Sequence, residues 1–396
     1  MSNDLCLDRR EKFLAYCLPD ITESEISEVI NALESGWLAK GPRTIEFEKR
    51  FAEYVGAKYA VGMNSCTAAL HIALLAAGVG PGDEVITTPM TFAASANTII
   101  HTGATPVFVD IDPETGCIDP DKIEEKITSK TKAIVPVHYA GQACELDRIY
   151  EIANKHNLFV SEDAAHAIYT RYKGKRIGNS PQGAVAYSFY ATKNLATGEG
   201  GMLVTDDEEI ANKARILVTH GMSKNAWNRY AKGGSWMYDI EEPGYKYNMF
   251  DLQAALGIIQ LDRLEGMQNR REQIAEKYNE AFKEIATIEL PKVTKGTTTH
   301  AWHLYMIKIV PEKLKIDRNQ FIIELNERNI GTSVHFIPVH LMTAYRNRFG
   351  YKNGEFPSAE KWFDRIISLP LYPTMNDSDV NDVIKAVKDI IELYGV

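Results

Sequence analysis

The sequence predicts an α/β fold, in which a mostly parallel sheet flanked by helices forms a large domain and a smaller α+β domain follows it. The chain has 396 residues, more than one hydrophobic core usually organises. Between residues 59 and 205, short apolar runs alternate with helical patterns, as in βαβ units around a parallel sheet. From Leu264 onward, long helical stretches replace that alternation, which indicates the second domain.

Seven apolar runs are the candidate strands of the sheet, and each is short. They are KYAVGM, DEVITT, TPVFVD, KAIVPV, LFVSED, AVAYSFY and GGMLVT. Amphipathic segments lie between several of them and predict helices. These are Ala68–Ala77, Ala93–His101, Asp119–Lys126 and Leu146–His156.

Two more helices are expected ahead of the sheet, at Thr22–Ser35 and Arg43–Val55. Thr22 and Glu25 have the spacing of a capping box for the first. The predicted domains are residues 18–262 and 263–396, with residues 1–17 packing against the smaller one, and an amphipathic helix at 377–393 closes the chain. The long aromatic segment 222–243 interrupts the pattern, and loops of that length are often functional.

Composition excludes some classes of protein. The net charge is -9, from 44 basic and 53 acidic residues, which argues against a broad nucleic-acid or anionic-membrane surface but allows a local basic pocket. The five cysteines show neither a CxxC motif nor zinc spacing, so we expect no metal site and a reducing cytoplasm. No stretch resembles a signal peptide or a membrane span.

The stretch NSCTAALHIALLAAG, Asn64–Gly78, is a candidate phosphate site. A strand ends, small and polar residues follow, and a helix is expected from near Ala68. The first turn of a helix has free N–H groups and a partial positive charge, so it suits an anion. The hydroxyls of Ser65 and Thr67 would add donors. An ordinary helix cap is the alternative interpretation.

A second candidate is the stretch VSEDAAHA, in which Asp163 ends a predicted strand. Open parallel sheets bind ligands at the carboxyl ends of their strands. A carboxylate there keeps a ligand nitrogen protonated, although Asp163 could equally cap the next helix. His166 follows it and needs a ligand beside it to be more than a buried polar residue.

The third candidate is Lys193 in SFYATKNLATGEGG, between an apolar strand and a glycine cluster. A lysine in a partly desolvated cleft has a lowered pKa, and its free amine forms Schiff bases. The fourth is Asn248 in PGYKYNMFDLQAALG, just before a helix expected near Phe250, where a helix cap is the alternative interpretation. Taken singly, each residue has an ordinary structural explanation. An anion site, a strand-end carboxylate and a lysine are together what pyridoxal phosphate requires.

With these motifs in view, the chain closely resembles the DegT/StrS-type nucleotide-sugar aminotransferases, a pyridoxal-phosphate family of fold type I. The resemblance begins near Glu25, runs to the C-terminus and follows the family's order of motifs. They include SGWLAKGP, GDEVITTPMTFAASAN, GATPVFVDID, TKAIVPVHYAGQ, EDAAHA, SFYATKN, GEGGM, GYKYNMFDLQAALG and SLPLYP. It implies a large domain with a seven-stranded sheet and a small C-terminal domain. Members that aminate a 4-keto sugar, of the UDP-4-amino-4-deoxy-L-arabinose type, look nearest.

The resemblance implies roles for individual residues. Lys193 would form the Schiff base with pyridoxal 5'-phosphate, and Asp163 would pair with its pyridine nitrogen. Phe92 would stack on the ring, and His166 would lie near its phenolic oxygen. The phosphate would be bound by a set of residues around the first turn of a helix and the end of a strand. That set is Ser65, Thr67, Ala68 and Ser188.

The resemblance also implies partners. Asn248 would reach the phosphate in the neighbouring subunit of a homodimer, so that the active site is shared. Lys224 and Arg229 in the long loop, and His335 in the small domain, are candidates for contacts to a diphosphate or to the amino donor's carboxylate.

The implied reaction has two halves. L-Glutamate would leave as 2-oxoglutarate, with pyridoxamine phosphate as the intermediate, and a keto-sugar nucleotide, preferably a 4-keto UDP-sugar, would then become an amino sugar. Relatives that deoxygenate sugars have His at the Schiff-base position, so Lys193 favours transamination. A 3-keto dTDP-sugar aminotransferase and a cofactor-binding regulator without turnover are the alternatives.

Overall fold

The computed structural model describes residues 9–178, 180, 182–222 and 237–396. Its strands follow here in chain order. They are β1 Tyr59–Met63, β2 Glu84–Thr87, β3 Thr105–Phe108, β4 Thr131–Val135, β5 Phe159–Asp163, β6 Arg171–Tyr172, β7 Lys175–Arg176, β8 Gly183–Ser188, β9 Gly201–Thr205, β10 Ile288–Glu289, β11 Thr297–Thr299, β12 Tyr305–Ile309 and β13 Ile366–Leu369.

The α-helices of the described residues are also given in chain order. They are α1 Glu23–Glu34, α2 Pro42–Val55, α3 Cys66–Ala76, α4 Ala93–His101, α5 Leu146–His156, α6 Glu208–Leu217, α7 Asp251–Phe282, α8 Arg318–Glu327, α9 Thr343–Phe349, α10 Pro357–Arg365 and α11 Asp377–Tyr394. None of them combines the length and the apolar character that crossing a bilayer requires.

The large sheet has seven strands in the order β1-β9-β8-β5-β4-β2-β3. The number of strands confirms the predicted seven-stranded sheet. The pairs β2–β3, β2–β4, β4–β5 and β5–β8 are parallel, and β9 is antiparallel to both β1 and β8. The central strands are buried along nearly their whole length, because helices cover both faces of a parallel sheet. Their carboxyl ends therefore meet at one edge, where loops carry the site.

The two N-terminal helices pack on the long helix α7, and a buried carboxylate explains how α2 begins. Asp251, the first residue of α7, accepts hydrogen bonds from the backbone N–H of Gly41 at 2.7 Å and of Thr44 at 3.0 Å. These N–H groups have no partner inside α2, so Asp251 caps that helix from more than 200 residues away. At α1, the predicted capping box is present, with the Thr22 N–H donating to Glu25 at 2.8 Å.

The predicted helix at Asp119–Lys126 is wrong. The chain forms two short 3-10 helices there, Pro120–Lys122 and Glu124–Lys126. Asp119 caps the first, and only Pro120 and Ile123 are buried within the segment. An amphipathic α-helix packs against the core through a continuous stripe of apolar residues. This charged segment has too few apolar residues for such a stripe, so only single 3-10 turns form.

The C-terminal part contains a second core, built around a small sheet. Strands β10, β12 and β13 pair antiparallel, and α11 and α8 pack beside them with the second half of α7. The segment TSVHF forms no strand, since only Ser333 pairs with Ser368. Leu14 pairs with Ile330 and is buried in this same core.

The predicted boundary at residue 262 stays a prediction. Helix α7 runs across it for 32 residues without interruption, about 48 Å at the usual rise per residue. The first half of α7 joins the core of the large sheet, and the second half joins the C-terminal core.

Candidate active site

A cavity of about 520 Å³ lies at the carboxyl ends of the central strands, in the size range of ligand sites. It collects most of the residues that the sequence singled out. Those lining it are Ser65, Thr67, Phe92, Asp163, His166, Ser188, Lys193 and His335. These predicted residues, up to 270 positions apart in the chain, therefore line one cavity, and the strand ends form its floor.

The first turn of α3 forms one wall of this cavity. The helix begins at Cys66, two residues before the predicted start, because Ser65 is its cap and accepts a hydrogen bond from the Ala68 N–H at 3.1 Å. Gly201 lies directly behind this turn, where an added Cβ would be 2.3 Å from the carbonyl carbon of Ser65. Thr67 also lines the cavity, and the remaining N–H groups of a first helical turn are of the kind that suits an anion.

Asp163 ends β5 and is buried at the cavity floor. Burial raises the pKa of its carboxyl group, and hydrogen bonds from Ser95 at 2.7 Å and from the Ala165 N–H at 3.1 Å act in the opposite direction. The two donors hold the carboxylate in one orientation. A buried carboxylate with one side facing a cavity is suited to pairing with a cationic nitrogen of a ligand.

Lys193 lies in the loop between β8 and β9, and its amine faces the cavity. Burial lowers the pKa of the amine to about 8, although the nearby Asp163 carboxylate raises it in part. Gly198 and Gly200 have positive φ angles of 82° and 159°, so they let the loop fold back to β9. The amine is therefore partly unprotonated at neutral pH and reactive toward carbonyl groups.

Aromatic rings close the cavity from the other side. His166 stacks on Phe336, with ring centroids 5.9 Å apart, and packs against His303 at 4.3 Å. Its Nδ1 is buried without a hydrogen-bond partner among the described residues. Phe92 is 64% exposed although it is a large apolar side chain, and it lies 6.1 Å from Phe336. An unpaired nitrogen and an exposed aromatic face in one cavity indicate that a ligand completes the site.

His335 is the one predicted substrate contact that the structure describes at the cavity. Its Nδ1 lies 2.9 Å from the hydroxyl of Ser368, and burial lowers its pKa to about 4, so the ring is neutral. The other two candidates, Lys224 and Arg229, lie outside the described residues.

Two predicted cofactor residues do not line the cavity. Ala68 lies just behind it, with its N–H bonded to Ser65. Asn248 lies on the far side of β1, paired with Met63, and it does not cap α7, which begins at Asp251. Its side-chain oxygen is buried without a partner among the described residues.

Sequence reasoning missed several residues of the site. Tyr16 and Cys17 reach the cavity from the N-terminal segment, and neither lies in a local pattern that indicates function. Ser95 lies inside an ordinary amphipathic helix. His303 lies in the stretch THAWHLY, whose two histidines and tryptophan were the available signal. The described residues contain no cluster of side chains suited to a metal ion.

Comparison with known proteins adds to this geometry. A model of the DegT/DnrJ/EryC1/StrS aminotransferase family matches residues 19–388. The spore coat polysaccharide biosynthesis protein SpsC of Bacillus subtilis strain 168 is 59% identical over 387 residues, which is 98% of this chain and 99% of SpsC.

Solved structures give the same result. The putative sugar aminotransferase Spr1654 from Streptococcus pneumoniae, in its PMP form, has a TM-score of 0.90 and 38% identity over 96% of this chain and 99% of that one. Its PLP form has also been solved. Helicobacter pylori PseC, an aminotransferase involved in the biosynthesis of pseudoaminic acid, has a TM-score of 0.88 and 30% identity over 96% and 100% of the two chains.

Proposed function

The chain belongs to the DegT/DnrJ/EryC1/StrS aminotransferase family, and from that premise we propose that it transfers the amino group of L-glutamate to a 4-keto UDP-sugar. It is a pyridoxal-phosphate-dependent sugar aminotransferase of fold type I. The products of the proposed reaction are 2-oxoglutarate and an amino sugar nucleotide. One observation carries the proposal: the Lys193 amine, with its pKa lowered to about 8, shares a cavity with the Asp163 carboxylate.

The residues present fit the cofactor. The cavity offers an amine at Lys193, a carboxylate at Asp163, an exposed ring face at Phe92 and an unpaired nitrogen at His166. Pyridoxal phosphate supplies an aldehyde for a primary amine and a ring that accepts electrons when its nitrogen is protonated. Asp163 would keep that nitrogen protonated, because an opposite charge at close range favours the charged form.

Lys193 is the residue proposed to move the proton. As the neutral amine it takes a proton from the α-carbon of the amino donor, and as the ammonium it returns one, so it serves as base and acid in turn. A pKa of about 8 lies close to neutral pH, where both forms are populated. Ser65, Thr67 and Ser188 are proposed to bind the phosphate with hydroxyl and N–H donors.

We propose a homodimer in which Asn248 acts in the partner's site. This role rests on the family resemblance of PGYKYNMFDLQAALG, and within one chain the Asn248 oxygen is buried without a partner among the described residues. Exposed apolar side chains around α1 and α2 would be buried by the same contact. They are Ile26, Ile30, Leu33, Trp37, Leu38 and Ile45.

The names of the relatives support a sugar as amino acceptor. SpsC is named for spore coat polysaccharide biosynthesis and PseC for pseudoaminic acid biosynthesis. Glutamate as donor, and the 4-keto UDP-sugar as acceptor, rest on the family resemblance of motifs such as PVHYAG and PGYKYN.

The visible spectrum of the purified protein tests the proposal in two stages. A yellow band that bleaches on addition of L-glutamate, with release of 2-oxoglutarate, is expected for the first half. The bleached protein is then offered a 4-keto UDP-pentose or a 3-keto dTDP-hexose, and the return of the band is followed with mass analysis of the product. Return with the dTDP-sugar alone would move the assignment to position 3 of a dTDP-sugar. A protein that never bleaches with any donor would be a binding protein.

A further inference from the structure

The hydrogen bonds around His303 determine which of its ring nitrogens carries the proton. The Nζ atom of Lys193 lies 3.5 Å from Nε2 of His303, a long hydrogen bond. On the other side of the ring, Nδ1 lies 3.1 Å from Oδ1 of Asn194. His303 and Asn194 are both buried, so each of their polar atoms needs a partner inside the protein.

Two backbone carbonyl groups fix the orientation of the amides behind His303. Nδ2 of Asn194 lies 2.6 Å from the carbonyl oxygen of Ala301 and 3.1 Å from Oε1 of Gln268. Gln268 in turn donates from Nε2 to the carbonyl oxygen of His300 at 3.1 Å. A backbone carbonyl only accepts, so each amide must place its NH2 group there. Asn194 therefore presents its oxygen to His303.

That oxygen only accepts, so Nδ1 of His303 must carry the hydrogen. Burial holds the pKa of His303 well below its usual value, and the charge of Lys193 acts in the same direction, so the ring is neutral. A neutral imidazole with its hydrogen on Nδ1 has a lone pair on Nε2. His303 consequently accepts a hydrogen bond from the amine of Lys193 and donates none to it.

We propose that His303 is a positioning residue for Lys193, and that Asn194 sets its tautomer. By accepting one N–H of the amine, Nε2 leaves the nitrogen lone pair free for a carbonyl group in the cavity. The opposite tautomer would donate its N–H to that lone pair and make the amine unreactive. The inference rests on the proposed role of Lys193 and extends it to a residue of the cavity wall that acts through the Lys193 amine.

The rate at which the cofactor-free full chain takes up pyridoxal phosphate, measured by absorbance across pH, tests the proposal. We expect the native midpoint near the Lys193 pKa of about 8. His303→Leu removes the acceptor, so the plateau rate should fall about tenfold. The midpoint should move about one pH unit lower, because the ammonium form loses its partner. His303→Gln can place its side-chain oxygen where Nε2 was, so it should restore most of the plateau rate and most of the native midpoint.

His300→Leu is the matched control. His300 is buried in the same segment, where its ring stacks on Trp302 at 4.0 Å, and its side chain makes no contact with Lys193 among the contacts of the described residues. A native profile is expected for it. Equal changes in both leucine variants, or a native profile for His303→Leu, would overturn the positioning role.

The tautomer has a direct readout as well. In the 15N spectrum of the native chain with 15N-labelled histidine, the His303 signal is the one that disappears in His303→Gln. This signal should show the proton on Nδ1, and a proton on Nε2 would overturn the inference. Asn194→Ala should release the ring to the other tautomer. Uptake that persists in Lys193→Ala would instead overturn the proposed function, so the two failures are distinguishable.

Discussion

The hydroxyl of Ser95 donates a hydrogen bond of 2.7 Å to Oδ2 of Asp163, from a residue 68 positions earlier in the chain. Its own oxygen lies 2.7 Å from the hydroxyl of Thr91. Since the single hydrogen of Ser95 goes to Asp163, Thr91 donates to Ser95, and a directed chain of two hydroxyls ends on the carboxylate. All three side chains are buried, so this chain helps to orient the carboxylate and lowers the pKa of Asp163 against the larger effect of burial.

Ser95→Ala should make Asp163 harder to ionise. The Ser95 hydrogen bond lowers the pKa of Asp163, so its removal raises that pKa further. The acid limb of the glutamate half-reaction should therefore move to higher pH. Thr98→Ala is the control, because within the described part of the chain the Thr98 hydroxyl donates to the Ser95 backbone oxygen and not to Asp163, and it should leave the limb in place. An unmoved limb in Ser95→Ala would contradict this account.

Lys193 should destabilise the cofactor-free fold at neutral pH. Its pKa is about 8 in the folded chain against 10.5 for an ordinary solvated lysine, so the unfolded chain binds more protons between these values and stability rises with pH across that window. Below it, the deficit is at most about 3 kcal/mol, since each pKa unit corresponds to about 1.4 kcal/mol. Lys193→Met should recover much of this deficit in urea unfolding near neutral pH.

The control for that measurement is Lys155→Met, because Lys155 is exposed and paired with Glu124. Its replacement should change the free energy of unfolding by less than about 0.5 kcal/mol. Equal effects of the two substitutions would contradict the burial cost assigned to Lys193.

Gly201→Ala should disturb the first turn of α3. The new Cβ would lie 2.3 Å from the carbonyl carbon of Ser65 and 2.4 Å from the backbone nitrogen of Cys66, and backbone atoms cannot move aside without shifting the turn. We expect a loss of about 1–3 kcal/mol in unfolding free energy, as for overpacked cores, together with weaker binding of pyridoxal phosphate. Gly80→Ala meets no atom within 4 Å and is the control. If Gly201→Ala bound pyridoxal phosphate with native affinity, the first turn of α3 would not be part of the phosphate site.

A buried polar pair lies on the face of β5 opposite Asp163. The Cys144 N–H donates to Nδ1 of His138 at 3.1 Å, so Nε2 of that ring carries the hydrogen and donates to Glu162 at 2.8 Å. His138→Leu leaves a buried carboxyl oxygen without this donor and should cost about 1–3 kcal/mol of unfolding free energy. The double variant His138→Leu with Glu162→Leu should lose less than the sum of the two single variants. Additive losses in this cycle would contradict the pairing.

Local sequence was sufficient for elements with a clear side-chain period. The predicted helices 93–101 and 146–156 coincide with α4 and α5, and all seven candidate strands are found in the sheet, because apolar spacing along the chain determines which face is buried. It failed at Asp119–Lys126, where charged residues supply no apolar stripe and the backbone forms single 3-10 turns.

The sequence by itself determined the fold class, the family and the chemical groups of the site: a strand-end carboxylate at Asp163, an amine at Lys193 and small residues at the start of α3. Only the tertiary structure decided what surrounds them. Ser95 reaches Asp163, and Tyr16 and His303 reach the cavity, from distant parts of the chain. The direction of a hydrogen bond and the burial of a side chain depend on which surfaces of the sheet and the helices pack together. The spacing of residues along the sequence does not specify those contacts.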